Sequence, residues 1–360
     1  MSRCLTSSVV DASKLIEYVT VTGKLIPASS EDHVKLARLA WSFRRAVQLA
    51  VKMIAKGVKA SDALRELRRT LNKAYADSAF KAAKAIVEGC MANGGDPLRV
   101  EVRRLFIISG GESSRLGNRN VRLEDVGSVR VKYPYDGSWI ALRARFGEEY
   151  LSLLRELVEL AKQKKASYNA KIVFRGGGIY VHVSVPIQLF LKHFKKGEAR
   201  GELIAGLDLN SDRINLAIID ERGRLVDVRT ARFPETTSHG FPRSKARAMR
   251  LGALAKLLGY CYYHGVGTVA FEDLFEVKGR RFAKSKTANR KMSRFAKREL
   301  LQHAITTSLK YGLRVLLVDP KGTTSSREHD EVMLKYGLDR HMASAYLIAL
   351  KALNQSKQMK

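Results

Sequence analysis

The sequence has few cysteines, few tryptophans and few acidic residues. Its 360 residues include 3 Cys and 2 Trp, and 35 Asp and Glu accompany 65 Lys and Arg. Cys4, Cys90 and Cys261 lie far apart and form no Cys-x-x-Cys pair, which excludes a disulfide framework or a structural zinc site made from them. Long apolar runs are also missing, and no stretch approaches the length that spans a bilayer.

The surplus of positive charge is the main feature of the composition. The formal net charge is +30 at pH 7, and 45% of the residues are hydrophobic, as in a globular protein. Because such a charge costs self-repulsion, it indicates a polyanionic partner, most often nucleic acid. The basic residues are spread along the whole chain, which argues against a membrane partner. The first residues lack the apolar core of a signal peptide, so we expect a cytoplasmic protein that acts on nucleic acid.

The first half of the chain predicts a β-barrel domain with a helical insertion. Residues 16–26 alternate in polarity and predict a strand, and further half-buried strands are predicted later, at 129–133, 139–143 and 179–185. Between them, helical spacing of apolar residues covers 33–56, 62–71 and 78–91. The simplest arrangement is a barrel over 1–30 and 98–192, with the helical insertion over 31–97.

The second half begins with an apolar run that holds one carboxylate. The run is Leu203-Ile-Ala-Gly-Leu-Asp-Leu-Asn210, which predicts a buried central strand. A buried carboxylate needs a cation, a hydrogen-bond donor or a metal as its partner. A carboxylate at the solvated end of a strand needs none. Taken alone, the run leaves both interpretations of Asp208 open.

The order of elements after residue 201 predicts a mixed α/β domain. Three strands with short connections are followed by a helix over 244–263, a strand over 268–271, a helix over 287–311 and a strand over 314–319. A last helix begins near Asp339. The order βββ-α-β-α-β-α is that of an RNase H-like fold.

Three carboxylates fall at comparable places in this order. In such a sheet the first and fourth strands are neighbours and the last helix packs against them, so Asp208, Glu272 and Asp339 are expected to converge. Clustered carboxylates stay ionised only beside cations, and oxygen ligands select Mg²⁺ or Mn²⁺. Two such ions activate a water and stabilise the leaving oxygen of a phosphodiester. We therefore predict that these three residues are catalytic and bind metal. Each could instead lie at a solvated end, and Asp339 is also a helix N-cap candidate.

Four short segments resemble the RuvC-type motifs of TnpB, the transposon-encoded RNA-guided nuclease related to type V CRISPR effectors. They are Gly206-Leu-Asp-Leu-Asn210, Phe271-Glu-Asp-Leu274, Val318-Asp-Pro-Lys-Gly-Thr-Thr-Ser-Ser326 and Gly337-Leu-Asp-Arg-His-Met-Ala-Ser-Ala345. The resemblance implies a wedge role for the barrel, a recognition role for the insertion and a RuvC nuclease domain over 201–360. It implies that Asp208, Glu272 and Asp339 are the catalytic acids. It also implies a guide RNA and a target DNA as partners, and we infer no obligate protein partner.

The chain departs from the TnpB pattern in one segment. Family members usually carry two Cys-x-x-Cys pairs, which form a zinc knuckle, before the last catalytic Asp. Here the segment is Arg327-Glu-His-Asp-Glu-Val-Met-Leu-Lys-Tyr336, without cysteine. We therefore expect no zinc, and we expect the chain to run almost directly into Asp339.

A basic segment follows Glu272 and is the predicted nucleic-acid contact. Residues 278–298 hold ten Lys and Arg. Charge runs are usually solvated helix faces, but the position of this one favours phosphate contacts that weaken as salt rises. The predicted contacts are Arg280, Arg281, Lys284, Lys286, Arg290, Lys291 and Arg294. A second, weaker stripe consists of Arg243, Lys245, Arg247 and Arg250.

Four other polar residues near the motifs receive no functional role. They are His329, His341, Asp212 and Asp319. A lone histidine is more often structural or solvated, and the two aspartates are expected at turns or helix entries.

Two functions of different class remain. The first is a metal-dependent, RNA-guided DNA endonuclease. The second is an RNA-guided DNA-binding protein or repressor with little or no cleavage. A third class, actin-like kinases and ATPases, shares a Gly-x-Asp-x strand, but Asn210-Ser-Asp-Arg213 lacks the glycine-rich phosphate loop that those proteins need.

Overall fold

The computed structural model describes residues 10–11, 15–199, 201–275, 297–323 and 326–358. The chain divides into two compact units. The N-terminal unit is Tyr18–His193, and the C-terminal unit is Met1–Glu17 together with Phe194–Lys360. Each unit has one large sheet and its own helices, so the protein is mixed α/β.

The strands are numbered along the whole chain. They are β1 (Val10–Asp11), β2 (Tyr18–Pro27), β3 (Phe106–Ser109), β4 (Gly111–Glu112), β5 (Gly117–Asn118), β6 (Val121–Leu123), β7 (Ser128–Lys132), β8 (Trp139–Arg145), β9 (Asn169–Arg175), β10 (Gly178–Pro186), β11 (Leu203–Leu209), β12 (Arg213–Ile219), β13 (Leu225–Arg232), β14 (Val266–Glu272) and β15 (Arg314–Val318).

The α-helices are numbered in the same way. They are α1 (Ser30–Ala55), α2 (Ala60–Leu67), α3 (Lys73–Ala92), α4 (Leu151–Lys162), α5 (Ile187–Phe194), α6 (Arg243–Tyr263), α7 (Lys297–Lys310), α8 (Arg327–Tyr336) and α9 (Arg340–Gln358). Within the described residues, none of the helices has both the length and the apolar character needed to cross a membrane.

The large sheet of the N-terminal unit has the strand order β3-β9-β10-β2-β8-β7-β6. β2 pairs antiparallel with β10 from Leu25↔Ile179 to Tyr18↔Pro186, so the strand predicted over 16–26 does join the later strands. The predicted β-barrel does not close, because the short strands β3 and β6 are the two edges of the sheet in the described part of the chain. Short edge strands limit pairing with other chains.

The helical insertion packs as the apolar spacing predicts. α1 begins after Ser29, whose side chain accepts a hydrogen bond from the Asp32 amide, and its buried face includes Phe43. Phe43 meets Tyr75 of α3 edge-to-face, with ring centroids 6.1 Å apart. α3 begins at Lys73 rather than at the predicted residue 78, because the Asn72 side chain caps it by accepting from the Tyr75 amide.

The large sheet of the C-terminal unit has the strand order β1-β15-β14-β11-β12-β13. β11, β12 and β13 form an antiparallel meander, and β14 and β15 extend the sheet in parallel from β11. The predicted succession of strands and helices is confirmed for this sheet. β1 differs from the prediction, which placed residues 1–30 with the N-terminal sheet. Val10–Asp11 pair with β15 instead and cover its otherwise unpaired edge.

A helix occupies the segment that we expected to run almost directly into Asp339. α8 is capped by Ser326, whose side chain accepts from the His329 amide, and it ends at Gly337 with a φ of 62°. Both are ordinary signals of a helix start and end. His329 is 1% exposed, and its Nε2 lies 2.9 Å from the Arg340 carbonyl oxygen. His329 is therefore a buried structural residue.

His303 on α7 is expected to make stability depend on pH. Burial and the nearby Arg247 guanidinium lower the pKa of His303. The unfolded chain binds a proton near the ordinary pKa of about 6.5, whereas the folded protein resists protonation at that pH. The free energy of unfolding should therefore fall as the pH drops from about 7.5 to about 5.5. Urea denaturation at both pH values measures this change.

The matched comparison is His303→Gln against His239→Gln. His239 is exposed, so its replacement should leave the pH dependence of unfolding unchanged, whereas His303→Gln should reduce it. If the free energy of unfolding depends on pH equally in His303→Gln and in the parent protein, His303 is not a source of that dependence.

Candidate active site

Asp208 lies near the end of β11 and is 9% exposed. Its Oδ2 accepts a hydrogen bond from the Asn210 side-chain amide at 2.7 Å and lies 3.0 Å from His341 Nδ1. The sequence left open whether Asp208 is a buried carboxylate with a partner or a solvated one at the strand end. The structure shows the first, with two protein side chains as the partners. His341 is the second residue of α9, so the contact places the start of α9 beside β11.

Glu272 is the last residue of β14, the strand that pairs in parallel with β11. In the parallel pairing of β11 and β14, Gly206 is opposite Ala270 and Leu207 is opposite Phe271, so Asp208 and Glu272 take the next matched positions. Side chains at matched positions of parallel strands share a face. The buried Thr323 hydroxyl donates to Glu272 Oε1 and lies 2.7 Å from the Pro320 carbonyl oxygen. The register therefore brings two of the predicted catalytic acids to the carboxyl ends of two neighbouring strands, on the same face of the sheet.

Asp339 caps the start of α9. Its Oδ1 accepts hydrogen bonds from the amides of His341 at 2.9 Å and Met342 at 2.8 Å. Asp339 therefore acts as the N-cap of α9, which was the alternative prediction for this residue. The capped turn also carries His341, which contacts Asp208. Asp339 therefore lies on the turn that approaches Asp208 and Glu272.

Each of the three predicted carboxylates is engaged by protein donors. In the part of the chain that the structure describes, no group of three or more His, Cys, Asp or Glu side chains could hold a metal ion. Asp208 is engaged by Asn210 and His341, Glu272 by Thr323, and Asp339 by backbone amides. The carboxylate oxygens are the donors that Mg²⁺ and Mn²⁺ prefer, so binding of metal by these three residues stays a prediction.

Three further site residues were missed or set aside in the sequence. His341 was assigned no role, and Asn210 and Thr323 were not singled out. All three lie inside the quoted motifs, which was the available signal. Asp208 and His341 are 133 positions apart, so their contact depends on how α9 packs and not on local spacing.

Most of the predicted nucleic-acid contacts cannot be placed. Arg280, Arg281, Lys284, Lys286, Arg290, Lys291 and Arg294 lie outside the described residues. Arg298, at the end of the same basic segment, donates from Nη2 to the Phe275 carbonyl oxygen at 2.9 Å.

The four residues of the second basic stripe have different environments in the structure. Arg243 and Lys245 are exposed on the first turn of α6. Arg247 forms an ion pair with Glu299 of α7. Arg250 is 8% exposed and donates to the Ser211 carbonyl oxygen at 3.0 Å, so its predicted place in a binding stripe is wrong. Its buried guanidinium hydrogen-bonds to the protein instead.

The two additional aspartates are structural, as expected. Asp319 accepts a hydrogen bond from the Lys321 amide at 2.9 Å in the turn after β15. Asp212 is buried and forms an ion pair with Arg213, with 3.3 Å between Oδ1 and Nε.

Comparison with known proteins gives a family and several distant structural likenesses. The model of the SSO2105 N-terminal domain matches residues 18–195. The protein SSO2105 of Saccharolobus solfataricus is 42% identical over 352 residues, which cover 96% of this chain and 94% of that protein. RuvC of T. thermophilus, solved with a Holliday junction substrate, has a TM-score of 0.31 and 16% identity, over 44% of this chain and 95% of RuvC. Cas12f1, solved with sgRNA and target DNA, has a TM-score of 0.28 and 13% identity, over 92% of this chain and 99% of Cas12f1. The chain belongs to the family of Saccharolobus solfataricus SSO2105.

Proposed function

We propose that this protein is a nuclease that hydrolyses phosphodiester bonds in nucleic acid, with Asp208 and Glu272 at its active site. The observation that carries the proposal is their placement. They occupy the next matched positions of two neighbouring parallel strands, on the same face and beside the start of α9. Ligand sites of open α/β sheets lie at the carboxyl ends of such strands.

The net charge of +30 supports a polyanionic substrate. Two carboxylates at the reaction centre would repel a phosphodiester unless the surroundings were cationic, because like charges at close range oppose binding. A strongly basic protein around an acidic pair fits a phosphodiester substrate better than it fits a neutral or cationic one.

The protein's own residues hold the two carboxylates in fixed orientations. Asn210 and His341 hold Oδ2 of Asp208, and Thr323 holds Oε1 of Glu272. Catalytic groups held by neighbouring side chains keep the geometry that a reaction needs. Asp208 and Glu272 are the residues that would hold a divalent ion, which would supply an activated water for phosphodiester hydrolysis.

The finer form of the proposal is an RNA-guided DNA endonuclease of the TnpB type that depends on Mg²⁺ or Mn²⁺. The four RuvC-type motifs support it, and they contain Asp208, Glu272, Asp339 and the partners of the first two. In this form, residues 201–360 are a RuvC nuclease domain, 98–192 together with β2 are a wedge, and 31–97 are a recognition insertion. A guide RNA and a target DNA are its partners.

The alternative is RNA-guided DNA binding with little or no cleavage. It is favoured by the engagement of all three carboxylates with protein donors. It is also favoured by α8, which replaces the cysteine pairs of the TnpB pattern.

Cleavage by the full-length protein, purified with its bound RNA, tests the proposal. The RNA is sequenced, and the complex is incubated with plasmids that carry matching sequences, in Mg²⁺ or in EDTA. We expect cleaved plasmid in Mg²⁺ and intact plasmid in EDTA. Target binding without cleavage in both Mg²⁺ and Mn²⁺ would favour the alternative. A protein that purifies without RNA and gains no sequence preference from added RNA would overturn the guided part.

A further inference from the structure

A basic cleft lies within the N-terminal unit, in residues that the proposed active site does not use. Its volume is about 610 Å³, within the roughly 300–1,000 Å³ typical of ligand sites. The cleft is lined by Asn72, Lys73, Ala74, Asp77, Glu112, Arg115, Arg119, Asn120, Arg122, Lys132 and Trp139. These residues come from the start of α3, from the 112–122 segment and from β7 and β8.

The carboxylates of the cleft are already neutralised. Arg119 lies 2.7 Å from Glu112 and 3.7 Å from Asp77, and Arg68 lies 3.2 Å from Asp77. Four other cations also line the cleft, and in the described part of the chain none of them forms an ion pair. They are Lys73, Arg115, Arg122 and Lys132. The cleft therefore carries an uncompensated positive charge.

Two of these cations are held at the wall of the cleft by Trp139. The Arg122 guanidinium lies 4.6 Å from the centroid of the Trp139 ring, and the Lys132 ammonium lies 5.1 Å from it. Such cation–π contacts stabilise the cations without cancelling their charge. Arg122 Nε is buried and has no hydrogen-bond acceptor among the described residues, so the guanidinium is not committed to a protein acceptor at this atom.

The frame of the cleft is rigid and also favours an anion. Asn72 caps α3 and hydrogen-bonds to Asn120 at 3.1 Å, so the first turn of α3 is tied to the segment that carries Arg119 and, on β6, Arg122. Asn118 Oδ1 accepts from the Asn120 amide at 3.1 Å and from the Val121 amide at 2.9 Å. The positive end of the α3 dipole, at Lys73 and Ala74, opens into the cleft and adds to the side-chain charge.

We infer that this cleft binds the phosphate groups of a single-stranded nucleic acid. Its lining supplies cations and a helix N-terminus, which are the groups that recognise phosphate. A cleft of about 610 Å³ has room for a short piece of one strand. The inference rests on the nucleic-acid partner of the proposed function, but on different residues, and it does not require cleavage.

The fluorescence of Trp139 tests this directly. The chain has 2 Trp, so a full-length Trp41→Phe variant reports from Trp139 alone, and Trp41 is exposed on α1. The variant is titrated with a single-stranded RNA of about twelve nucleotides, the matching DNA, AMP and inorganic phosphate. We expect the oligonucleotides to change the Trp139 emission and to bind more weakly as salt rises.

Removal of two cleft charges should weaken this binding. In the Trp41→Phe background, Lys73→Gln with Arg115→Gln should reduce affinity roughly tenfold and lower the slope of log K against log salt by about 1.4, since each lost phosphate contact accounts for about 0.7. The matched control is Lys81→Gln with Lys165→Gln, which removes the same charge from exposed positions outside the cleft. The control should bind like the parent.

The outcomes separate this inference from the proposed function. If oligonucleotides bind, as measured by anisotropy, without changing the Trp139 emission, or if the cleft variant binds like the control, the inference is wrong. If AMP or phosphate alone saturates the change and competes with the oligonucleotide, the cleft is a site for small phosphorylated ligands and the single-strand assignment is overturned. An Asp208→Asn protein should keep the Trp139 response even where cleavage is lost, so loss of activity leaves the inference standing.

Discussion

Asp208→Asn and Glu272→Gln are each expected to reduce cleavage of a matching target by at least about a hundredfold. A positioned catalytic acid or base typically contributes about 10²- to 10⁴-fold to the rate, and these two carboxylates are placed as the primary acidic groups. Both replacements keep the size of the side chain and one acceptor oxygen, so His341 and Thr323 retain a hydrogen-bond partner. The rate of plasmid cleavage by the RNA-bound protein measures the effect.

The matched control is Asp319→Asn. Asp319 follows β15, the neighbour of β14, and among the described residues its carboxylate accepts a turn hydrogen bond from the Lys321 amide. An asparagine can accept the same bond, so cleavage should stay near the parent rate. If Asp208→Asn and Glu272→Gln cleave as fast as Asp319→Asn while still binding RNA, these two carboxylates are not the catalytic acids.

The strand that contains Asp208 and its neighbours could be predicted from the sequence. β11 spans Leu203–Leu209, within one residue of the predicted run, because a continuous apolar segment with polar flanks is a local signal. The proximity of Asp208 and Glu272 follows from the order of elements, since helix-connected parallel strands have few possible arrangements.

The contacts that position the site could not be predicted, because they depend on packing between distant segments. Asp208 meets His341 only because α9 lies close against β11. The spacing of basic residues predicts Arg250 in a basic stripe, yet its side chain turns inward and donates to the Ser211 carbonyl oxygen. Periodicity gives the faces of a helix but does not show which backbone acceptors a partner segment presents. The burial of Arg250 was therefore not visible in the sequence.

The two ends of α8 carry local sequence signals of a helix start and a helix end. Ser326 and Gly337 are typical N-cap and C′ residues, and α8 lies between them. What the sequence could not show is that His329 is buried, because that burial depends on α9. The local signals therefore gave the helix, and the tertiary contacts gave the role of its side chains.

Gly206→Ala is expected to destabilise the C-terminal unit by about 3 kcal/mol, near the upper end of the range for overpacked cores. A Cβ at Gly206 would lie 2.5 Å from the Ala349 amide nitrogen and closer still to the Ala345 carbonyl oxygen. Both atoms belong to the backbone of α9, so no side chain can rotate away. The midpoint of urea denaturation, followed by circular dichroism, measures the loss.

Gly252→Ala makes the same chemical change where there is room. Gly252 is exposed within α6, and a Cβ there would meet nothing within 4 Å. Alanine is favoured over glycine in a helix interior by roughly 0.5–1 kcal/mol, so this control should raise the midpoint. A Gly206→Ala protein as stable as the parent would show that α9 does not pack tightly on β11.

The Gly206 contact also links the fold to the site. α9 can approach β11 closely because residue 206 has no side chain, and this approach places His341 3.0 Å from Asp208. Gly206 and Asp208 are two positions apart on β11, so both face the helix. A Gly206→Ala protein that remains folded should therefore lose activity beyond its loss of stability, because α9 must move away from the carboxylate that it helps to orient. Cleavage measured well below the unfolding temperature separates the two effects.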